Sequence, residues 1–268
     1  MQKTILITGA TDGIGLETAK QLAMQGHHLL VHGRNPDKLA KVIAAIEPLN
    51  PRAQVEGVTA DLSRMKEVAR LADEVAAKVD KLDVLINNAG VFAASGTTTE
   101  DGLELRFAVN TYAPYLLTQR LLPQLAGGRV VNLSSAAQAP VDLDALTAPG
   151  PMGSGIAYAQ SKLAITMWTR DMAARLGASG PMVVAVNPAS MLGSKMVKEA
   201  YGVSGGDLSI GADILVRAAL SDEFADAGGR YFDNDNGRFA EPHSAGRDPE
   251  RCRQLVEVLE SKLAQLLD

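Results

Sequence analysis

Cysteine is nearly missing from this chain: Cys252 stands alone among 268 residues. A lone thiol excludes an intrachain disulfide and leaves no cysteine cluster to hold zinc. Cys252 itself reads as a small apolar filler on a helix. The four histidines, His27, His28, His32 and His243, have no glutamate in a metal-binding spacing, so no structural metal is expected. An excess of positive charge is missing too. Lys and Arg number 26 against 31 Asp and Glu, a formal charge of −5, which offers a polyanion no footprint and makes nucleic acid an unexpected partner. Long hydrophobic runs are also lacking. The apolar run after Lys3 is strand-length, too short for a signal-peptide core or a membrane span, and a cytoplasmic protein is the expectation. No linker, low-complexity tract or repeat divides the chain. Residues 1–268 read as one domain, with 46% apolar residues to fill one substantial core.

What the chain does have is a rhythm. Short apolar runs at 5–7, 29–31, 55–58, 84–86, 130–133 and 183–186 are each bounded by Gly, Pro, Asn or Asp, the pattern of buried parallel strands. Helical spacing lies between them. Met65, Val68, Ala69, Ala72, Val75, Ala76 and Val79 follow one helix face, and Asn35-Pro36 opens another helix through Leu39, Val42, Ile43 and Ile46. Strand alternating with helix predicts an α/β fold, a single Rossmann-type doubly wound parallel sheet with helices on both faces. In the tail, 228–233 reads as a last strand, and Leu255, Leu259, Leu263 and Leu266 mark an amphipathic helix. Two stretches break the rhythm after strands, 140–155 and 188–206, and are candidate substrate loops.

The first strand, from Thr4 to Thr8, runs into Gly9-Ala10-Thr11-Asp12-Gly13-Ile14-Gly15, and Ala19, Leu22 and Ala23 continue as a helix. A helix start offers unpaired N–H groups and a positive dipole end, and glycines let backbone approach a pyrophosphate. The spacing G-x-x-x-G-x-G differs from the ordinary dinucleotide fingerprint G-x-G-x-x-G. Downstream stand Asn87-Asn88-Ala89-Gly90 after the fourth strand, Ser134-Ser135 after the fifth, and Tyr158-x-x-x-Lys162 opening a helix. These four motifs, in this order, closely resemble the short-chain dehydrogenase/reductase family. The resemblance spans Thr4 to about Pro188. It implies a dinucleotide held by Gly9, Thr11, Asp12, Gly13, Ile14 and Gly15, by Asp61 and Leu62 near the adenine, by Asn88, Ala89 and Gly90 along the ribose, and by Pro188 and Ser190 after the sixth strand. Asp61 has a second reading, as a cap for the next helix.

The second strand selects between dinucleotides, because a carboxylate at its end would hydrogen-bond a ribose 2′-OH and repel a 2′-phosphate. No Asp or Glu occurs between Glu17 and Asp37, and the strand ends in His32-Gly33-Arg34. A guanidinium there can pair a phosphate bidentately, so NADP(H) is the expected cofactor.

Tyrosine four residues before lysine puts both side chains on one helix face. A phenol is a poor base at neutral pH, and a neighbouring ammonium favours its ionised form. Tyr158 thereby becomes a usable acid and base toward a carbonyl/alcohol pair. The resemblance further implies that Ser135, with Ser134 as runner-up, binds the substrate oxygen. It gives Lys162 the nicotinamide ribose as well, and makes Asn110 the support of a water relay behind the lysine. Asn110 could equally repair a helix irregularity.

Two departures from the family pattern stand out. Ser135 and Tyr158 are 23 positions apart, wider than the compact pattern. This resembles the branch of retinol dehydrogenases and carbonyl reductases, as does 101–110. A homodimer or homotetramer is compatible with the family, but the wide connection puts its usual helix-bundle dimer in doubt. After the sixth strand Ala189 replaces the family glycine, and Ser194 is a candidate for a carboxamide hydroxyl. Met152, Met191, Leu192, Met196 and Tyr201 suit contacts with a small apolar substrate or packing of the loops. The competing expectations are a non-catalytic NADP(H)-binding regulatory protein and a sugar-nucleotide epimerase or dehydratase.

Overall fold

The computed structural model describes residues 1–93 and 96–268, with backbone alone at 200 and 201. Eight strands form one sheet: β1 (Thr4–Ile7), β2 (His28–Gly33), β3 (Gln54–Thr59), β4 (Val84–Asn87), β5 (Arg129–Leu133), β6 (Met182–Asn187), β7 (Tyr231–Asp233) and β8 (Arg238–Ala240). Their order is β3-β2-β1-β4-β5-β6-β7-β8. Every pair is parallel except β7 with β8. The tail therefore holds one strand more than its sequence suggested. β8 is three residues long and solvated, too short for an alternating pattern to register.

Helices cover both faces: α1 (Gly13–Met24), α2 (Pro36–Ile46), α3 (Met65–Lys78), the single turn α4 (Leu105–Phe107), α5 (Ala113–Leu121), α6 (Leu143–Thr147), α7 (Ser154–Leu176), α8 (Lys195–Tyr201), α9 (Leu208–Leu220) and α10 (Pro249–Leu267). Successive strand residues point to opposite faces. Ile5, Ile7, Leu29, Val31, Val84 and Ile86 join one core with residues of α1, α2 and α9. Leu6, Leu30, Leu85 and Val130 join another with residues of α3, α5, α7 and α10. Both faces of the central strands are buried, which is why these strands read as continuous apolar runs. Helix starts are fixed locally. Asn35 accepts from Lys38 N–H with Pro36 in the first turn, and Asp248 caps α10 ahead of Pro249. Cys252 is buried on α10, and burial pushes its thiol up to about 11, consistent with a filler.

Chain direction across the sheet reverses between β1 and β4. From β1 the chain steps outward to β2 and β3, and from β4 the other way to β7. Open α/β sheets leave a crevice beyond the carboxyl ends of the strands at such a point. The turns after β1, β4, β5 and β6 all rise around it.

Candidate active site

Gly9 begins the turn after β1 at φ 66°. A Cβ there would lie 2.9 Å from Ala89 Cα, so the turns after β1 and β4 meet backbone to backbone. Gly15 is equally tight, since its Cβ would fall 2.3 Å from Asn88 Nδ2. Asn88 Nδ2 in turn donates to Thr8 O at 2.9 Å and Gly9 O at 3.2 Å. Two of the three glycines, with Asn88 and Ala89, thus serve to join two turns. Gly13 differs. At φ 55° its Cβ would meet only Ser194 Cβ, at 3.7 Å, which leaves the start of α1 open. Open space thus lies beside the first turn of α1, whose N–H groups beyond the one Asp12 takes suit a phosphate.

Asp12 is exposed, accepts from Gly13 N–H at 2.9 Å and holds Lys38 Nζ at 3.1 Å. Burial alone would raise its carboxyl, but the bonds from Lys38 and Gly13 and the charges of Lys38 and Lys195 outweigh it and hold it below its ordinary value. Thr11 tucks its methyl where a Gly33 Cβ would sit, 2.4 Å away. Arg34 follows directly, exposed, with no ion pair among the described residues. Asp61 lies beyond β3 in a turn, its Oδ1 accepting from Ser63 N–H and Oγ at 2.9 and 2.8 Å. That carboxylate supports the turn before α3 but does not cap the helix, whose Met65 N–H donates to Asp101 Oδ2 at 2.6 Å. Leu62 is buried in the core, so only its backbone can face a ligand. Ile14 lies against α9, 3.2 Å from where a Gly211 Cβ would be.

At the other end of the crevice the two serines separate. Ser134 Oγ is buried, donates to Lys162 O at 2.9 Å and pairs with Thr166 Oγ1 at 2.7 Å. It is committed to α7. Ser135 is half-buried at the strand end, and among the described residues its Oγ accepts from Ala137 N–H at 3.1 Å. Tyr158 and Lys162 share a face of α7, with Nζ 5.7 Å from the phenol ring centroid. Lys162 Nζ donates to Leu133 O at 2.7 Å, and burial pulls its pKa down to about 8. Phe92 packs edge-on against Tyr158 at 4.9 Å.

Asn110 lies in a π-helical turn, Ala108–Tyr112, between α4 and α5. Its Oδ1 accepts from Val91 N–H at 2.8 Å, and its Nδ2 donates to Val91 O and Ser161 Oγ, each at 3.0 Å. The amide thus ties the β4 turn to α7 across an irregular helix. A Cβ on Gly90 would lie 3.5 Å from Asn110 Oδ1, 3.6 Å from Lys162 Nζ and 3.9 Å from Met196 Cε. Gly90 keeps open the point where these groups converge, a cradle of the kind a flat ligand ring requires.

The two irregular stretches behave differently. In 140–155, Val141 and Leu146 are buried, and Tyr112 Oη donates to Leu146 O at 2.9 Å. This part is scaffold, while 148–151 are exposed. In 188–206, Pro188 is buried beside the crevice and Met191 is 44% exposed. Leu192 is a packing residue, 2.6 Å from where a Gly211 Cβ would be. Ser194 Oγ caps α8 by accepting from Val197 N–H at 3.3 Å. The Tyr201 side chain lies outside the described residues.

The model of the short chain dehydrogenase family matches residues 3–202. The chain belongs to that family. Human retinol dehydrogenase 13 is 32% identical over 275 residues, spanning 94% of this chain and 82% of its own, which places this oxidoreductase near the retinol dehydrogenase branch. A crystal structure of an uncharacterized protein from Mycobacterium Paratuberculosis superposes with a TM-score of 0.81 at 29% identity, covering 98% of this chain and 94% of that one. A short chain dehydrogenase from Burkholderia cenocepacia J2315, solved in complex with NADP, superposes at 0.69 with 27% identity over 86% of this chain and 95% of its own.

In this short chain dehydrogenase several residues that hold the site carry no mark of that task in the sequence. His32 is one. With Nε2 protonated it donates to Ala60 O at 3.0 Å, while Nδ1 accepts from Gly9 N–H at 3.2 Å. Burial lowers its pKa, which keeps it neutral in this bridging role. Asn87 donates to Asn132 Oδ1 at 2.8 Å, and Asn132 to Thr169 Oγ1 at 2.8 Å, tying β4, β5 and α7 together below the crevice. Arg106 is fully buried, pairs with Glu104, and donates to Phe92 O at 2.8 Å and Ser154 Oγ at 2.7 Å. It anchors the segment carrying Phe92 to the start of α7. A polar residue in an apolar run is the only sequence signal such groups leave. Among the described residues no cluster of His, Cys, Asp and Glu could hold a metal, and no helix is long and apolar enough to cross a membrane.

Proposed function

We propose that this short chain dehydrogenase interconverts a carbonyl and an alcohol on a small apolar molecule, using NADP(H), with Tyr158 as acid and base. The dinucleotide, when bound, supplies or takes up the hydride. Gly13 and the start of α1 would hold its pyrophosphate, and Gly90 would leave room beside Lys162 for its nicotinamide ribose. Arg34 would pair the 2′-phosphate.

The observation that carries the proposal is the division of labour on α7. Ser134 is spent on the helix backbone, so Ser135 is the hydroxyl left to donate to a substrate oxygen beside Tyr158. Tyr158 gives its proton to that oxygen in reduction and takes it back in oxidation. The buried Lys162 ammonium lies on the same helix face and favours the charged form of the phenol. Asn110 fixes the turn beside Lys162 through the Val91 backbone. NADP(H) is supported by an unpaired Arg34 and by the NADP complex of the Burkholderia protein. Retinol, the substrate named for a relative, and the exposed Met191 at the rim support an apolar substrate.

The test is a panel of aldehydes, ketones and quinones offered with NADPH and, separately, with NADH. Consumption of NADPH by an apolar carbonyl, well ahead of NADH, is expected. Equal use of both dinucleotides would remove the Arg34 assignment, and NADPH binding without any turnover would favour a binding protein.

A further inference from the structure

The segment after β6 spans the crevice. Ser194 Cβ stands 3.7 Å from where a Gly13 Cβ would be, and Met196 Cε 3.9 Å from where a Gly90 Cβ would be, beside Lys162. Anything lying between the glycine turn and Lys162 lies under this segment. Its backbone is strained where it leaves the sheet: Ala189 takes φ 115° and Met191 φ 54°, the only non-glycine residues at positive φ among those described. Positive φ is strained for an alanine and persists only where the surroundings impose it.

The surroundings here are the turn between β7 and β8. Asp235 Oδ1 accepts from Ser190 N–H at 2.7 Å, and its Oδ2 accepts from Ser190 Oγ at 2.6 Å and from Asn187 Nδ2 at 2.9 Å. Asn187 Nδ2 also reaches Asp233 Oδ1 at 2.9 Å. Asn234 completes the grip, its N–H donating to Asn187 O at 3.2 Å and its Nδ2 to Pro188 O at 3.0 Å. One carboxylate thus bridges the residues on either side of Pro188-Ala189, and charge-assisted bonds of this kind are the strong ones.

We propose that Asp235 is a positioning residue for the dinucleotide: its carboxylate holds Ala189 at positive φ and so fixes the segment that roofs the cofactor crevice. This rests on the dinucleotide reading above. Asp235 reaches no reacting atom and acts through Pro188–Ser190. A glycine at 189 would adopt φ 115° without strain and would need the carboxylate less.

The test titrates NADPH into wild type, Asp235→Ala, and Asp235→Ala combined with Ala189→Gly, following the fluorescence of the bound reduced nicotinamide, with thermal unfolding and steady-state rates in parallel. Losing the charged bonds is expected to weaken NADPH about tenfold and to raise its KM with kcat altered by less than about twofold. Ala189→Gly in that background is expected to return the affinity to within about threefold of wild type. Should Asp235→Ala not fold, Ser190→Ala removes the hydroxyl bond alone and is expected to weaken NADPH by about threefold. Wild-type affinity in Asp235→Ala, or in that Ser190→Ala substitute, overturns the positioning role. Absence of rescue by Ala189→Gly overturns its link to the Ala189 conformation. If wild type itself binds no NADPH, the dinucleotide reading falls, and this proposal with it.

Discussion

The turns after β1 and β6 face each other across the same crevice and solve the same steric problem in opposite ways. After β1, positive φ is assigned to Gly9 and Gly13, so the bonds from Asn88 and His32 join this turn to its neighbours without having to impose its conformation. After β6, positive φ falls on Ala189 and Met191, and side chains from the β7–β8 turn hold the conformation in place. One turn is relaxed by its residue type, the other restrained by its neighbours. A relaxed turn takes its backbone conformation from its own residue types, whereas a restrained one has its conformation imposed by side chains more than forty positions away.

The contrast is broken most severely at Gly9. Gly9→Val adds a branched side chain at φ 66° and drives its Cβ to within 2.9 Å of the Ala89 backbone. A loss of about 3 kcal/mol or more in urea unfolding is expected, together with loss of NADPH binding. Near-wild-type stability would contradict a backbone-to-backbone contact between Gly9 and Ala89. Next comes Arg34, one strand away from the relaxed turn. Arg34→Asp is expected to raise the KM for NADPH roughly thirtyfold and to leave that for NADH within about threefold. Equal effects on both would remove Arg34 from the cofactor site.

Lys162, buried on α7 beside the Gly90 turn, gives a pH signature in the cofactor-free protein. Its buried ammonium has a pKa of about 8, lowered from 10.5. Between those values the unfolded chain binds more protons than the folded one, so stability rises with pH and the cost of the buried charge is fully felt below 8. Relative to Lys162→Met, wild type should gain about 2 kcal/mol in urea unfolding between pH 7.5 and 9.5. Parallel pH profiles for the two proteins would contradict this. The smallest effect sharpens the contrast from the other side. Ala189→Gly alone is expected to stabilise by less than about 1 kcal/mol, a rise of a degree or two in Tm, because relief of strain is partly offset by the freedom glycine gains in the unfolded chain. A clear fall in Tm would mean that alanine is at ease at φ 115°.

This difference also marks what the sequence could reveal. The relaxed turn was legible because its conformation is written in residue type: Gly9, Gly13 and Gly15 follow an apolar run, Arg34 ends the next strand, and Tyr158 and Lys162 share a helix face. The sheet was legible because strands buried on both faces are apolar throughout. Asp235 carried no such mark. Its partners are at 187 and 190, and an Asn-Asp-Asn-Gly stretch looks like any surface turn. β8 was hidden by its brevity, whereas a helix irregularity at Asn110 was one of the two readings of that residue and is a π turn. His32 and Asn132 were read as parts of strands, and only the pairing of the sheet shows what their side chains bridge. The choice between Ser134 and Ser135 likewise awaited the position of α7.

Proton transfer by Tyr158 is open to one measurement, single-turnover oxidation of saturating NADPH by an apolar aldehyde. Tyr158→Phe, which keeps the ring against Phe92, should bind NADPH within about twofold of wild type and react about 1,000-fold more slowly. Tyr158→Phe reacting at the wild-type rate would contradict the account.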